Sequence, residues 1–249
     1  MDSFIDFSGK RFLVTGASSG IGFEICRQIS YFGGYVVGIG RNVEKLNLLS
    51  SELVNFTSIN FDLTDLDNLE DLVDQIDLPI DGIVHSAGIV QLLPIKFFDI
   101  DVLNKLRKVN YDSILIIISK LLKGKKINKD ASIVFISSIA AEMGMKGNAL
   151  YSSTKAALNS TTKVLASELA SQRIRVNSIS PGQVETSLTD EIASQVSAEA
   201  IIIDKMKYPL GYGKSEDIAN LSVFLLSSKS RWITGSIINI DGGRSSILN

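Results

Sequence analysis

Tyr151 and Lys155 stand four residues apart in Tyr151-Ser152-Ser153-Thr154-Lys155. On a helix that spacing puts both on one face. A phenol ordinarily ionises near about 10, too high for an efficient base at neutrality. A nearby ammonium favours the phenolate and lowers that value. The pair is therefore a candidate proton-transfer device in a chain with one histidine, His85. Ser138 follows the apolar run Ile133-Val134-Phe135-Ile136 and could donate to a substrate carbonyl. Asn110 sits within a long helical pattern, where asparagine is a mediocre former, and its amide is the fourth candidate. A second constellation, Thr15-Gly16-Ala17-Ser18-Ser19-Gly20-Ile21-Gly22, follows one apolar run and opens a helical one. Gly16 allows a tight turn, Gly20 a close backbone approach to a phosphate, and Gly22 close helix–sheet packing; the helix N-terminus then faces the anion. The spacing G-x-x-x-G-x-G does not match the loop that ends in Gly-Lys-Ser/Thr, which argues against kinase-like and nucleoside-triphosphatase readings.

A dinucleotide site usually keeps an acidic residue about 20 residues further on, where it meets the ribose 2′-hydroxyl. Here the second apolar run ends Gly38-Ile39-Gly40-Arg41-Asn42, without a carboxylate. A guanidinium at Arg41 suits charge-assisted bonds to a 2′-phosphate.

These residues need a scaffold that gathers strand ends and helix starts. Short β-rich runs (11–15, 35–39, 56–61, 82–85, 132–136, 175–179 and 236–240) alternate with helical patterns. The helical patterns cover 20–32, 43–53, 66–76, 98–122, 149–170 and 216–226, and a polar helix-prone stretch covers 186–207. The strands are apolar without strict alternation, as when both sheet faces are covered. The expectation is an α/β fold: one Rossmann-type, doubly wound parallel sheet of about seven strands with helices on both faces. No linker interrupts the chain, so residues 1–249 read as a single domain.

The 249 residues are 45% hydrophobic and 21% charged, which sets aside disordered and fibrous classes. One cysteine, Cys26, leaves no internal disulfide or Cys-cluster zinc site, and its place in the first helix reads as buried packing. One histidine leaves no His-rich metal centre, so no metal is expected. A net charge of −2 provides no global field for nucleic acid. No run approaches the roughly 18 apolar residues of a membrane span. The N-terminus lacks a basic segment before an apolar core, so a cytoplasmic location is expected. Lys120, Lys123, Lys125, Lys126 and Lys129 cluster where a helix should end; they read as a solvated terminus favoured by the helix dipole, against a docking patch for an acidic partner.

Taken in order along nearly the whole chain, these motifs resemble the short-chain dehydrogenase/reductases of the compact type. The resemblance rests on Thr15 to Gly22, Asp62-Leu63, His85-Ser86-Ala87-Gly88, Asn110, Ser138, Tyr151-x-x-x-Lys155, Pro181-Gly182 and Ile233-Thr234-Gly235 to Asp241-Gly242-Gly243. It implies a catalytic tetrad. Tyr151 would be the general acid/base. Lys155 would lower its pKa and hold the nicotinamide ribose, Ser138 would polarise the carbonyl, and Asn110 would hold a relay water. It also implies that Asp62 and Leu63 meet the adenine, that Ser86, Ala87 and Gly88 line the adenosine ribose, and that Pro181, Gly182, Val184 and Thr186 hold the nicotinamide. The family often has Asn-Asn-Ala-Gly at residues 85–88; the departure bears on strand–loop hydrogen bonding, so His85 reads as structural. Trp232 reads as packing or interface.

The expected activity is NADP(H)-dependent reduction of a small-molecule carbonyl, or oxidation of the alcohol. One alternative is a 3-oxoacyl-[acyl-carrier-protein] reductase, whose tails often read like Pro209-Leu210-Gly211 to Glu216-Asp217-Ile218-Ala219; that tail is too widespread to select a substrate. The other is a non-catalytic NADP(H) sensor, which an intact tetrad argues against. The resemblance further implies a homotetramer, with a dimer as runner-up, joined through the helices carrying Asn110 and Tyr151 and through the last strand. A substrate lid is expected at about 183–208, with Gln91, Met143 to Met145 and Asn148 as pocket walls.

Overall fold

The computed structural model describes residues 4–186 and 198–246. Seven strands form one parallel sheet: β1 (Arg11–Thr15), β2 (Tyr35–Gly40), β3 (Phe56–Asn60), β4 (Ile80–His85), β5 (Ile127–Ile136), β6 (Arg175–Pro181) and a last strand, Ile237–Ile240. The spatial order is β3-β2-β1-β4-β5-β6 followed by that last strand. The chain thus winds outward from β1, returns, and continues from β4 on the other side. Thr15 and His85 are register partners at the carboxyl ends of β1 and β4, where the winding reverses. A crevice opens at such a switch point.

Successive strand residues point to opposite faces, and each face has its own core. Leu13, Ile83 and Phe135 pack with Leu72 of α3 (Leu69–Asp74), Ile117 of α5 (Ser113–Lys123) and Leu158 of α6 (Ala149–Glu168). Phe12, Val14 and Val134 pack with Ile25 of α1 (Gly20–Tyr31), Leu46 of α2 (Val43–Glu52) and Val223 of the helix Ser215–Leu226. Cys26 is fully buried in the second core. Doubly wound architecture is therefore the direct result of strands that are apolar on both sides.

The structure moves several expected boundaries. The third helix starts at Leu69 rather than Leu66, because Asp65 accepts from both the backbone and side-chain nitrogens of Asn68 and shapes a turn. The stretch 98–122 is not one α-helix. It comprises α4 (Ile100–Arg107), a π-turn (Lys108–Asp112) and α5. Asp99 sets the start of α4 by accepting from the backbone N–H groups of Asp101 and Val102. The lysine cluster is partly engaged: Lys120 pairs with Glu70 at 2.8 Å, and Lys126 donates to the Val73 carbonyl. A short parallel pair, β7 (Val184–Glu185) with β8 (Gly213–Lys214), was not expected. Between them lies α7 (Ala198–Lys205), so the final helix and strand become α8 and β9. Part of the expected lid, residues 187–197, lies outside the described residues. Trp232 is 90% exposed and packs into neither core, which excludes the packing role within this chain. No described helix is long and apolar enough to cross a membrane.

Candidate active site

Lys155 is 4% exposed, and its Nζ donates to the Ile136 carbonyl at the end of β5 (2.9 Å). In return, Ser137 Oγ donates to the Lys155 carbonyl (3.1 Å). Two reciprocal bonds thus fix the start of α6 against the strand that ends at Ser138. Ser138 accepts from the Ala140 N–H and lines the same cavity as the Tyr151 phenol, whose ionisation it favours. Burial pushes the phenol up to about 12, against a smaller lowering from Ser138. Burial also pulls the Lys155 ammonium down to about 8. The resemblance implies a phenol lowered by the ammonium; the ammonium lies 5.8 Å from the tyrosine ring centroid, and burial is the largest influence on the phenol. At neutral pH the phenol keeps its proton, the state suited to donating to a carbonyl oxygen.

The π-turn presents Asn110, which has no solvent exposure. Its Oδ1 accepts from the Ile89 N–H (2.8 Å), and its Nδ2 donates to the Ile89 carbonyl and to Thr154 Oγ1 (both 3.0 Å). The carboxamide therefore ties the loop after β4 to the helix of Tyr151 and Lys155. His85, equally buried, lies with Nε2 3.1 Å from the Asn110 main-chain oxygen and Nδ1 2.8 Å from Thr15 Oγ1. Burial, with the Lys155 charge second, pushes its pKa down to about 3, so the ring is neutral. A carbonyl can only accept, so Nε2 carries the proton and Nδ1 accepts from the Thr15 hydroxyl. Thr15 Oγ1 in turn accepts from the Ala87 N–H (3.2 Å).

A groove of about 270 Å³ runs over the switch point. Gly16, Ser18, Ser19, Gly20 and Ile21 form its floor, and Arg41 stands beside it after β2. Asp62 and Leu63 line it after β3, then Ser86, Ala87 and Gly88 after β4, with Thr186 at the far end. Gly22 does not line the groove. A Cβ there would fall 2.3 Å from the Gly16 carbonyl oxygen, so it is glycine for helix–loop packing. Gly16 has φ +73°, and its Cβ would fall 2.7 Å from the Ala87 nitrogen, so only glycine fits. A second cavity, about 280 Å³, adjoins the groove through Ile21, Ser86, Gly88 and Thr186. Ser138, Tyr151 and Lys155 line it, as do Pro181, Gly182 and Val184. Of the expected walls, Met145 and Asn148 line it, joined by Gln183 and Tyr208; Met143 and Gly144 line a neighbouring hollow, and Gln91 lines neither. A larger hollow, near Arg175 and Trp232, involves none of the tetrad.

The groove fits a nicotinamide dinucleotide: the glycines hold backbone where any Cβ would collide, at the N-terminus of α1 and the strand ends where such ligands bind. Arg41 and Asp62, both about half exposed, pair at 3.8 Å. Burial raises the Asp62 carboxyl, but bonds from Thr64 and the charges of Arg41 and Lys105 outweigh it and hold the group below its usual range. Sequence reasoning missed Lys105, because only the tertiary fold brings α4 near Asp62. It also missed Ile89 and Val109 in the groove, though each adjoins a residue already singled out. Thr154, inside the Tyr-Lys spacer, carried no signal of its bond to Asn110.

Fold and site together define a Rossmann-type oxidoreductase. A family model described as Enoyl-(Acyl carrier protein) reductase matches residues 16–245. The chain is 37% identical to the 3-oxoacyl-[acyl-carrier-protein] reductase FabG of Rickettsia bellii, over 96% of this chain and 98% of that one. It is 32% identical to the D-erythrulose reductase of Gallus gallus, over 98% of both chains. A solved short-chain dehydrogenase/reductase family protein superposes with a TM-score of 0.88 at 31% identity, covering 98% of this chain and all of the other. The chain belongs to the short-chain dehydrogenase/reductase family. It is an oxidoreductase of carbonyl or alcohol groups, and that family uses a nicotinamide cofactor.

Proposed function

We propose that this chain is an NADP(H)-dependent carbonyl reductase in which Tyr151 is the general acid. The observation that carries this reading is that Tyr151, Ser138 and Lys155 line one cavity that adjoins the dinucleotide groove. When bound, the nicotinamide supplies the hydride. Ser138 and Tyr151 both donate to the substrate oxygen, and Tyr151 Oη gives up its proton as the alcohol forms. Lys155 holds the nicotinamide ribose and keeps positive charge beside the phenolate that remains. Asn110 serves the relay through its position, joining the Ile89 loop to Thr154. Pro181, Gly182, Val184 and Thr186 hold the nicotinamide ring. Arg41, with Ser18 and Ser19, holds the 2′-phosphate.

Residues 1–249 act in this reading as one domain with a lid at about 183–208, in a homotetramer in the cytoplasm. Light scattering should give about four times the chain mass of 27.0 kDa; a monomer at micromolar concentration would contradict the assembly. The activity is tested by NADPH oxidation with a panel of ketones and acyl thioesters. Oxidation by at least one carbonyl class supports it, and cofactor binding without turnover of any would favour a sensor. The similarity to the Rickettsia reductase supports a second reading, reduction of carrier-bound 3-oxoacyl groups; faster turnover of carrier-bound than free thioesters would select it.

A further inference from the structure

Asn148 stands at the N-cap of α6, three residues before Tyr151, yet its side chain makes no capping bond. Asparagine is among the best N-cap residues because its oxygen accepts from the first free N–H groups. Here the residue is only 9% exposed, and Oδ1 has no hydrogen-bond partner among the described residues. Among the described residues the amide nitrogen meets the Met145 sulfur alone, at 3.5 Å. A buried polar atom without a partner is uncommon and asks for an explanation. Asn148 lines the cavity that holds Ser138 and Tyr151, and its i, i+3 spacing puts it on the tyrosine's side of the helix.

From this we infer that Asn148 is a specificity-determining residue that accepts a hydrogen bond from a hydroxyl next to the reacting carbonyl, so that the preferred substrates are small α-hydroxy ketones. The inference rests on the assignment of Tyr151 and Ser138 as donors to the substrate oxygen. Those two donors take the carbonyl oxygen, which is itself an acceptor and cannot satisfy Oδ1. The partner must bring its own O–H or N–H. Neighbours at i, i+3 on a helix have Cβ atoms about 5–6 Å apart, so a short hydroxyl-bearing substituent on the carbonyl carbon can span from Tyr151 to Asn148. Gln183 and Tyr208 also line the cavity, but of its described side chains it is Asn148 Oδ1 that is buried without a hydrogen-bond partner, so the choice falls on Asn148. The cavity, about 280 Å³, suits a small molecule.

The test compares hydroxyacetone, methoxyacetone and acetone as substrates of the native protein, Asn148→Ala and Asn148→Leu. Methoxyacetone keeps an electron-withdrawing oxygen but lacks the donor, so the hydroxyacetone-to-methoxyacetone ratio of kcat/KM isolates the hydrogen bond. That ratio should exceed one in the native protein and fall about tenfold in both variants, one hydrogen bond's worth. Thermal midpoints should be unchanged or raised, since Asn148 caps nothing. A ratio that stays the same in the variants would overturn the inference, as would a midpoint lowered by several degrees in both, the mark of a structural cap. Native activity on all three ketones without preference for hydroxyacetone removes this inference alone. Native inactivity on every carbonyl with either nicotinamide cofactor removes the proposed function, and this inference with it.

Discussion

His85 Nε2 donates to the main-chain oxygen of Asn110 across 3.1 Å, while the other ring nitrogen takes the hydroxyl proton of Thr15. One imidazole thus joins the strand that opens the cofactor loop to the π-turn of the tetrad. The ring is neutral, and its proton is fixed by what the partners can accept.

A stability profile follows from that burial. The folded value of His85, about 3, lies below the ordinary 6.5, so between the two the unfolded chain binds a proton that the folded chain refuses. Stability from this group is complete above about 6.5 and is lost as pH falls, at about 1.4 kcal/mol per pH unit for one proton. His85→Asn should be less stable at neutrality and less sensitive to acid. Urea denaturation from neutral to mildly acidic pH checks this; an unchanged pH dependence in the variant would contradict it.

The active-site groups give the opposite kind of limit. Reduction needs the Tyr151 proton and the Lys155 charge. With Lys155 held near about 8 and the phenol near about 12, Lys155 titrates first. The kcat/KM for reduction should be level at neutral pH and fall above about 8. A reductive profile that rises through this range would be inconsistent with a tyrosine acid.

Arg41 meets Asp62 in this structure, and a 2′-phosphate would compete for the same guanidinium. Hydrogen bonds to charged groups are worth about 1.5–3 kcal/mol, so Arg41→Ala should weaken NADPH binding about 10–100-fold and change NADH binding little. Asp62→Asn frees Arg41 and should favour NADPH. Fluorescence titration with both cofactors measures this, and the gap should narrow with added salt. Equal binding of NADPH and NADH by the native protein would show that Arg41 does not read the phosphate.

Most of the sheet was legible because strands buried on both faces write themselves as continuous apolar runs. The glycine loop was legible because close backbone approach excludes side chains at Gly16 and Gly22. The π-turn was not, since no proline or glycine marks a break between Ile100 and Lys123. The two-residue strands β7 and β8 are too short to show a period. Tyr151 and Lys155 were found by spacing, but the balance of burial and charge on the phenol belongs to the tertiary structure. So do the bonds that turn His85 and Thr154 toward Asn110.

The central claim is that Tyr151 delivers the proton, and Tyr151→Phe tests it most directly by keeping the ring and removing the donor. Single-turnover reduction with NADPH should slow by about 10²–10⁴-fold, the usual scale of general acid catalysis, with cofactor affinity largely retained. Reduction at near-native rate in that variant would contradict the account.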